Sequence, residues 1–321
     1  MDQLTSDEPA GIKIITDPSV YLIASQQINA DELDQFLFDH GLTWKSDSEV
    51  AAEVITETAG RVCYLSFAKP RPGGNEGYLQ HIKEVRHGSV LEHAVWSFMI
   101  TGVSRTLTHE FVRHRAGLAY SQLSQRYVDE SVAEYVEPDI IAADPELHEI
   151  WVDAVAYSHN AYVRLADKIT AKLTNTSGPC NNANCNRGNQ ADQLLAGIWV
   201  ACPTCKGNES AAFYAAPLGR FLPGHHDGTA TNTDRRKVAR QTARSVLPNA
   251  TETKISVTGN ARALRHFIEQ RGSVYAEPEI RKLAVKMLGI LQVAAPNIFG
   301  DYECDKLPDG SWCIRTEFRK V

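Results

Sequence analysis

Neither GxGxxG nor GxxxxGK[ST] occurs in the 321 residues, so both common glycine-loop devices for cradling nucleotide phosphates are missing. A bound nucleotide would have to be held by side chains. Long apolar runs are missing as well: LLAGIWVAC at 194–202 is too short to span a bilayer, so no membrane partner is expected. The opening MDQLTSDEPAGIKIIT is acidic and lacks the basic head and apolar core of a signal peptide, so a cytoplasmic protein is expected. Positive charge is not in excess. With 33 Lys and Arg against 39 Asp and Glu, the net charge of −6 creates no long-range field for nucleic acid, so an anionic ligand must meet a local arginine cluster. There is no internal repeat. The seven cysteines are an odd number for a disulfide framework, which leaves thiols or metal ligands.

The composition, 43% apolar and 22% charged, is that of an ordinary globular chain able to bury a sizeable core. KIIT at 13–16 and VYLIA at 20–24 read as strands, and 30–42 as an amphipathic helix stopped at Gly41. A second helix is expected over 48–65 and a loop over PRPGGNEG at 70–77. AVWSFMITGV at 94–103 has the branched and aromatic content of a buried strand. Ser104 suits the cap of a helix ending near Arg115, followed by a loop, AGLAYS. Residues 144–173 and 234–248 have helical spacing, TKISVTG reads as a strand, and two more helices follow through NARALRHFIEQR and EPEIRKLAVKMLGILQVAA. Helices and strands mix without a βαβ rhythm, so the expected class is α+β, a single mixed α/β domain. That domain is expected over 1–173 and 233–300, with a Cys-containing insertion at 174–232 and a C-terminal tail at 301–321.

Chemistry concentrates in RHRAGLAYSQLSQRY, Arg113 to Tyr127, which holds three guanidinium groups, one imidazole and several hydroxyls. Arg113 and Arg115, two apart on the expected helix, would diverge and serve different ligands. Guanidinium forks pair well with phosphate oxygens, and Ser121, Ser124 and Arg126 would complete a cradle. A solvated basic turn is the competing reading.

These residues also carry a resemblance. Arg113-His114-Arg115 followed by YSQLSQRY resembles the signature of the flavin-dependent thymidylate synthases. The blocks GRVCYLSF at 60–67, HGSVLEH at 87–93, HEFVRHR at 109–115, ARSVLPNATET at 243–253 and NARALRHFIEQRGSVYAEPEIR at 260–281 follow in the family's order. The resemblance implies reductive methylation of dUMP to dTMP, in dTMP biosynthesis, with FAD, a reduced nicotinamide such as NADPH, and methylenetetrahydrofolate as methylene donor. By position it implies FAD contacts at Ser89, Arg113, His114, Arg115, Gln122, Asn260, Arg262 and His266. It implies dUMP contacts at Glu110, Arg113, Gln122, Leu123, Ser124, Gln125, Arg126, Arg244 and Arg271. Arg271 matches the catalytic arginine that stabilises the uracil as its N3 proton is lost; a helix C-terminal arginine is the competing reading. For Arg244 and Arg262 the competitor is pairing with acidic side chains on their own helices. The family's homotetrameric state, with sites at subunit junctions, is likewise implied. The rivals are a flavin enzyme for another uracil nucleotide and a catalytically altered regulatory protein carrying a zinc module.

Ser124 has no obvious base beside it, so it is expected to position substrate rather than attack it. Cys63, in the apolar segment VCYLSF, reads as a core residue. His93 beside Glu92 is either structural or site-lining. Two departures from the family pattern stand out: eight residues, not seven, separate Arg115 from Ser124, and Tyr275 replaces a common histidine. Gly117 is expected to absorb the extra residue. In the insertion, Cys180, Cys185, Cys202 and Cys205 suit a closed tetrahedral structural zinc, with His225 or His226 able to replace one ligand; four unrelated thiols are the alternative.

Overall fold

Branched and aromatic residues alternate through Val95–Ser104, and in the computed structural model this segment is the central strand of the largest sheet. The structure describes residues 12–69, 71–174, 199–201, 212–214, 218, 221–222 and 231–321. By Cα proximity they fall into two compact units, one of Ile14–Leu123, Tyr135–Ala143 and Asn249–Val321, the other of Met1–Lys13, Ser124–Glu134 and Asp144–Pro248.

The first unit is built on an antiparallel four-stranded sheet in the order β2 (Ser19–Ser25), β3 (Val95–Ser104), β8 (Glu252–Asn260), β4 (Leu118–Gln122). β3 and β8 pair from Val95↔Asn260 to Ser104↔Glu252, and β4 joins β8 from Leu118↔Gly259 to Gln122↔Ile255. A two-stranded sheet pairs β1 (Lys13–Ile15) with β5 (Glu134–Val136). Trp96, Phe98 and Ile100 alternate inward on β3 and join one apolar cluster with Leu264, Phe267 and Ile268 of α8 (Ala261–Arg271) and Leu283, Met287 and Leu291 of α9 (Pro278–Ala294). The helices α1 (Ala30–Asp39), α2 (Ala51–Val62), α3 (Gly74–Glu84), α4 (Arg105–Phe111), and the short α5 (Asp139–Ala142) and α10 (Pro296–Phe299) complete the unit. A hairpin of β9 (Glu303–Lys306) and β10 (Trp312–Arg315) ends it.

Local chemistry sets the two helix starts that matter most for function. Ser104 caps α4 by accepting the Leu107 amide, and Asn260 caps α8 by accepting that of Ala263. Four expectations change. The helix after Ser104 stops at Phe111, so Arg113 and Arg115 lie on a turn rather than a helix. AGLAYS contributes most of β4 instead of a loop, because β8 offers it a partner. The 70–77 loop gives way to α3 at Gly74, whose start is held by Asp47 accepting the Asn75 amide at 2.8 Å. Residues 301–321 are no loose tail: they form the hairpin and pack Ile314, Phe318 and Val321 against the main core.

The second unit holds the thirty-residue α6 (Pro145–Thr174), close to its expected span, packed on α7 (Asn232–Ala243). Leu173, Leu222 and Val238 form its small apolar cluster. Thr231 and Asp234 close a capping box at the start of α7, and a short turn, Arg244–Val246, follows its end. β6 (Trp199–Ala201) and β7 (Ala212–Tyr214) pair antiparallel.

Candidate functional site

The end of α8 and the end of α4 supply the two halves of an ionic clasp. Arg271 donates from Nη1 to Glu110 Oε2 at 2.8 Å and from Nε to His114 Nε2 at 2.9 Å. Because His114 accepts on Nε2, its proton sits on Nδ1 and the ring is uncharged. Burial, then the charge of Arg271, then His266, hold the His114 pKa down to about 4. Its ring stands edge-on to Phe267 at 5.5 Å and to His266 at 5.9 Å between centroids. The Tyr120 hydroxyl lies 2.7 Å from the His114 carbonyl and fixes the turn that carries Arg113 to Arg115. Arg113 Nη2 reaches His109 Nε2 at 3.0 Å.

These groups open onto a cleft of about 380 Å³ lined by Thr106, His109, Glu110, Arg113, Asn249 and Arg271. Two guanidinium groups facing one carboxylate leave net positive charge in the cleft, which suits an anionic ligand. His109, Thr106 and Asn249 were not anticipated. The four-residue spacing of His109 and Arg113 was the available signal, since it aligns them across one turn. A roomier groove of about 870 Å³ lies between β2 and α9, but its lining is largely aliphatic, with Lys286 its one charge.

The expected flavin contacts also belong to this unit. Arg115 is exposed and, among the described residues, grips no carboxylate. Arg262 pairs at 2.6 Å with Glu92, so its acidic partner comes from another segment and not from its own helix. Ser89 and His266 are exposed, whereas the Asn260 side-chain Oδ1 is already committed to its cap. Gln122 donates its amide to Thr108 at 3.0 Å and Thr253 at 3.3 Å. Gly117 has φ +71°, and a Cβ there would lie 2.6 Å from the Asn260 side chain, so the motif turn has a position that only glycine fits.

Ser124, Gln125, Arg126 and Arg244 fall in the second unit. The Ser124 hydroxyl accepts the Arg126 amide at 3.4 Å, and no histidine or carboxylate among the described residues bonds to it. Gln125 is buried, and its amide nitrogen bonds to none of the described residues. The Arg126 guanidinium and Lys237 ammonium lie 5.7 Å and 4.9 Å from the Tyr127 ring. Arg244 is half-buried and has no acidic partner among the described residues. Cys63 is exposed, not core: VCYLSF turns Tyr64 and Leu65 outward beyond the end of α2. Cys180, Cys185, Cys202, Cys205, His225 and His226 lie outside the described residues.

Residues 47–297 match the family model described as thymidylate synthase complementing protein. The chain is 40% identical over 291 residues to the flavin-dependent thymidylate synthase of Mycolicibacterium gilvum, covering 90% of this chain and 94% of that one. It is 40% identical over 270 residues to the flavin-dependent thymidylate synthase of Corynebacterium glutamicum, covering 84% and 86%. It shares a fold with the UMP/dUMP methylase PolB from Streptomyces cacaoi, solved with 5-Br UMP, at a TM-score of 0.51 and 18% identity over 91% of this chain and 96% of that one. An α+β core with an arginine-lined cleft and no phosphate loop defines a class of side-chain nucleotide binders. Within it, this chain belongs to the flavin-dependent thymidylate synthase family. No helix among the described residues is long and apolar enough to cross a membrane.

Proposed function

We infer that this chain is a flavin-dependent thymidylate synthase that converts dUMP to dTMP, taking a methylene from methylenetetrahydrofolate and reducing equivalents from NADPH. The observation that carries the reading is Arg271, held by Glu110 and an uncharged His114 at the mouth of a cleft shared with Arg113. FAD, when bound, supplies the hydride chemistry. The donor set fits it: Arg115, Arg262 and Ser89 are exposed hydrogen-bond donors, and the guanidinium groups suit a pyrophosphate.

The chain's own residues bind, orient and supply charge. Arg271 places positive charge against the uracil as its N3 proton leaves, a preorganised electrostatic contact aimed at the charge that develops there. His114 accepts the Nε hydrogen of Arg271 without adding a competing charge, which leaves an Nη edge free to turn from Glu110 to substrate. Arg113 of the first unit, and Arg126 and Arg244 of the second, each offer a guanidinium group suited to a nucleotide phosphate. Gln122 and Leu123, and on the second unit Gln125, are further nucleotide contacts, and the Gln125 amide nitrogen is a buried donor with no acceptor among the described residues. Ser124 positions and does not attack. Asn260 and His266 flank the flavin.

The assembly is a homotetramer in the cytoplasm. Residues 174–232 are an insertion stabilised by zinc on Cys180, Cys185, Cys202 and Cys205, and metal analysis finding no zinc with all four thiols titratable would remove that part of the reading. The deciding experiment is an assay of dUMP-dependent NADPH oxidation with dTMP as product, alongside the flavin content of the purified protein. Oxidation without dTMP would sink the synthase assignment, and absence of FAD after reconstitution would sink the flavin assignment.

A further inference from the structure

The last residues of the chain, beyond the family-matched 47–297, run back along α8 from its end toward its start. The Ile314 amide donates to the Gly272 carbonyl at 2.8 Å, just past Arg271. Glu269 accepts from Arg319 Nε at 3.3 Å and from the Lys320 amide at 2.9 Å. Arg265 donates to the Phe318 carbonyl at 3.3 Å. The chain then bends at Lys320, whose φ of +58° is rare for a residue with a side chain. The bend seats Val321, only 9% exposed, on Gly88. A Cβ at Gly88 would lie 2.5 Å from the Val321 backbone carbonyl carbon, 3.0 Å from its oxygen and 3.0 Å from Arg262 Nε. Gly88 opens the turn Gly88–His93, which carries Ser89 and Glu92, the partner of Arg262.

We propose that Val321 is a positioning residue for the flavin, its seat on Gly88 setting the stance of Ser89 and Arg262. The inference rests on the reading above that those two side chains hold FAD. Gly88, Arg262 and Val321, far apart in sequence, meet at this seat, and glycine is the residue least able to hold its own backbone without a neighbour against it. With Val321 in place, Gly88 and Arg262 are ordered before the flavin arrives, so binding does not have to order them.

The test compares the full chain with one ending at Arg319 by titrating flavin-free protein with FAD and following flavin fluorescence. Shortening is expected to raise the FAD dissociation constant about tenfold, the scale of misplacing a contact from a distance. Binding of dUMP should be unchanged. Hydrogen exchange measured without flavin should quicken at Gly88–Glu92 and stay slow in β3 and β8. Lys320→Gly, whose backbone takes the bend freely, should keep full affinity. If the shortened chain does not fold, Val321→Asp keeps the hydrogen bonds of Phe318 to Lys320 while putting a charge where the Val321 side chain anchors the seat in the apolar cluster, and should show the same loss. Equal FAD affinity and equal exchange in the full and altered chains would overturn the inference alone. A full chain that takes up no FAD would overturn the functional reading and this inference together.

Discussion

Arg265 and Arg271 stand on the same helix, and each grips a carboxylate, yet their surroundings give them different work. Arg265 makes a two-pronged pair with Asp301 at 2.7 and 2.8 Å, and Lys83 adds a third contact at 2.9 Å. The three side chains are 2%, 6% and 5% exposed, and Thr316 closes the last carboxylate position. Burial alone would push the Asp301 carboxyl up, but hydrogen bonds and charge from Arg265, with Lys83 and Thr316, hold it at about 2. Arg271 and Glu110 are 26% and 35% exposed and share the pair with an uncharged imidazole. A buried pair whose carboxylate positions are all taken cannot exchange partners without stranding a charge, so it serves structure. A half-open pair loses little on exchanging its carboxylate for a ligand, so it serves binding. Charge and helix are shared; burial and the number of filled carboxylate positions are what separate them.

The sharpest break of this comparison is Asp301→Ala, which strands two buried cations and should cost about 3–5 kcal/mol in urea unfolding. Acid should find the same weak point. Since the Asp301 pKa is about 2 when folded against an ordinary 3.8, the unfolded chain binds more protons between those values, and the stabilisation present above about pH 4 is lost as pH falls toward 2. A transition unmoved by Asp301→Ala would show that the cluster does not carry stability. Arg271→Ala should do the reverse: turnover falls about a hundredfold, the scale of a lost transition-state contact, while unfolding moves by less than about 1 kcal/mol. If Arg271→Ala unfolds the protein and leaves turnover intact, the two arginines have been assigned the wrong way round.

Gly117→Ala should fall between structure and binding. It forces a side chain into φ +71° against Asn260, costing about 1–2 kcal/mol in thermal unfolding and weakening FAD through the displaced cap. Unchanged FAD affinity would separate the motif turn from the flavin site. The smallest effect concerns protonation. His114 should remain uncharged as pH drops through 6.5 and begin to charge only near 4, which carbon-detected NMR of its ring can follow. An ordinary imidazole titration near 6.5 would mean that Arg271 does not hold the ring.

Much of this was legible in the sequence. Ser104 announced its helix because its cap is local, and β3 declared itself by its run of branched and aromatic residues. The clustering of Arg113, His114 and Arg271 followed from the family blocks. Features whose cause lies elsewhere in the chain were hidden. The start of α3 depends on Asp47, twenty-eight residues upstream, and β4 depends on β8 to pair an alanine- and glycine-rich segment. Arg262 finds its acid at Glu92, 170 residues away, where helix spacing gives no hint. Cys63 misled because its apolar neighbours Tyr64 and Leu65 face outward. The final hairpin went unseen because Ile314 and Phe318 gain their burial only against α8 and α9.

The central sheet pairs Val95 with Asn260, strands whose partners are made far apart in time. At about 5–20 residues per second, β3 leaves the ribosome roughly 10–30 s before β8 exists to cover its edge. During that interval the nascent chain presents an aromatic, unpaired strand edge of the kind that recruits chaperones or pairs with the wrong neighbour. Production of this protein is therefore expected to be limited by the rate of translation and the supply of holding factors well before it is limited by the stability of the finished fold.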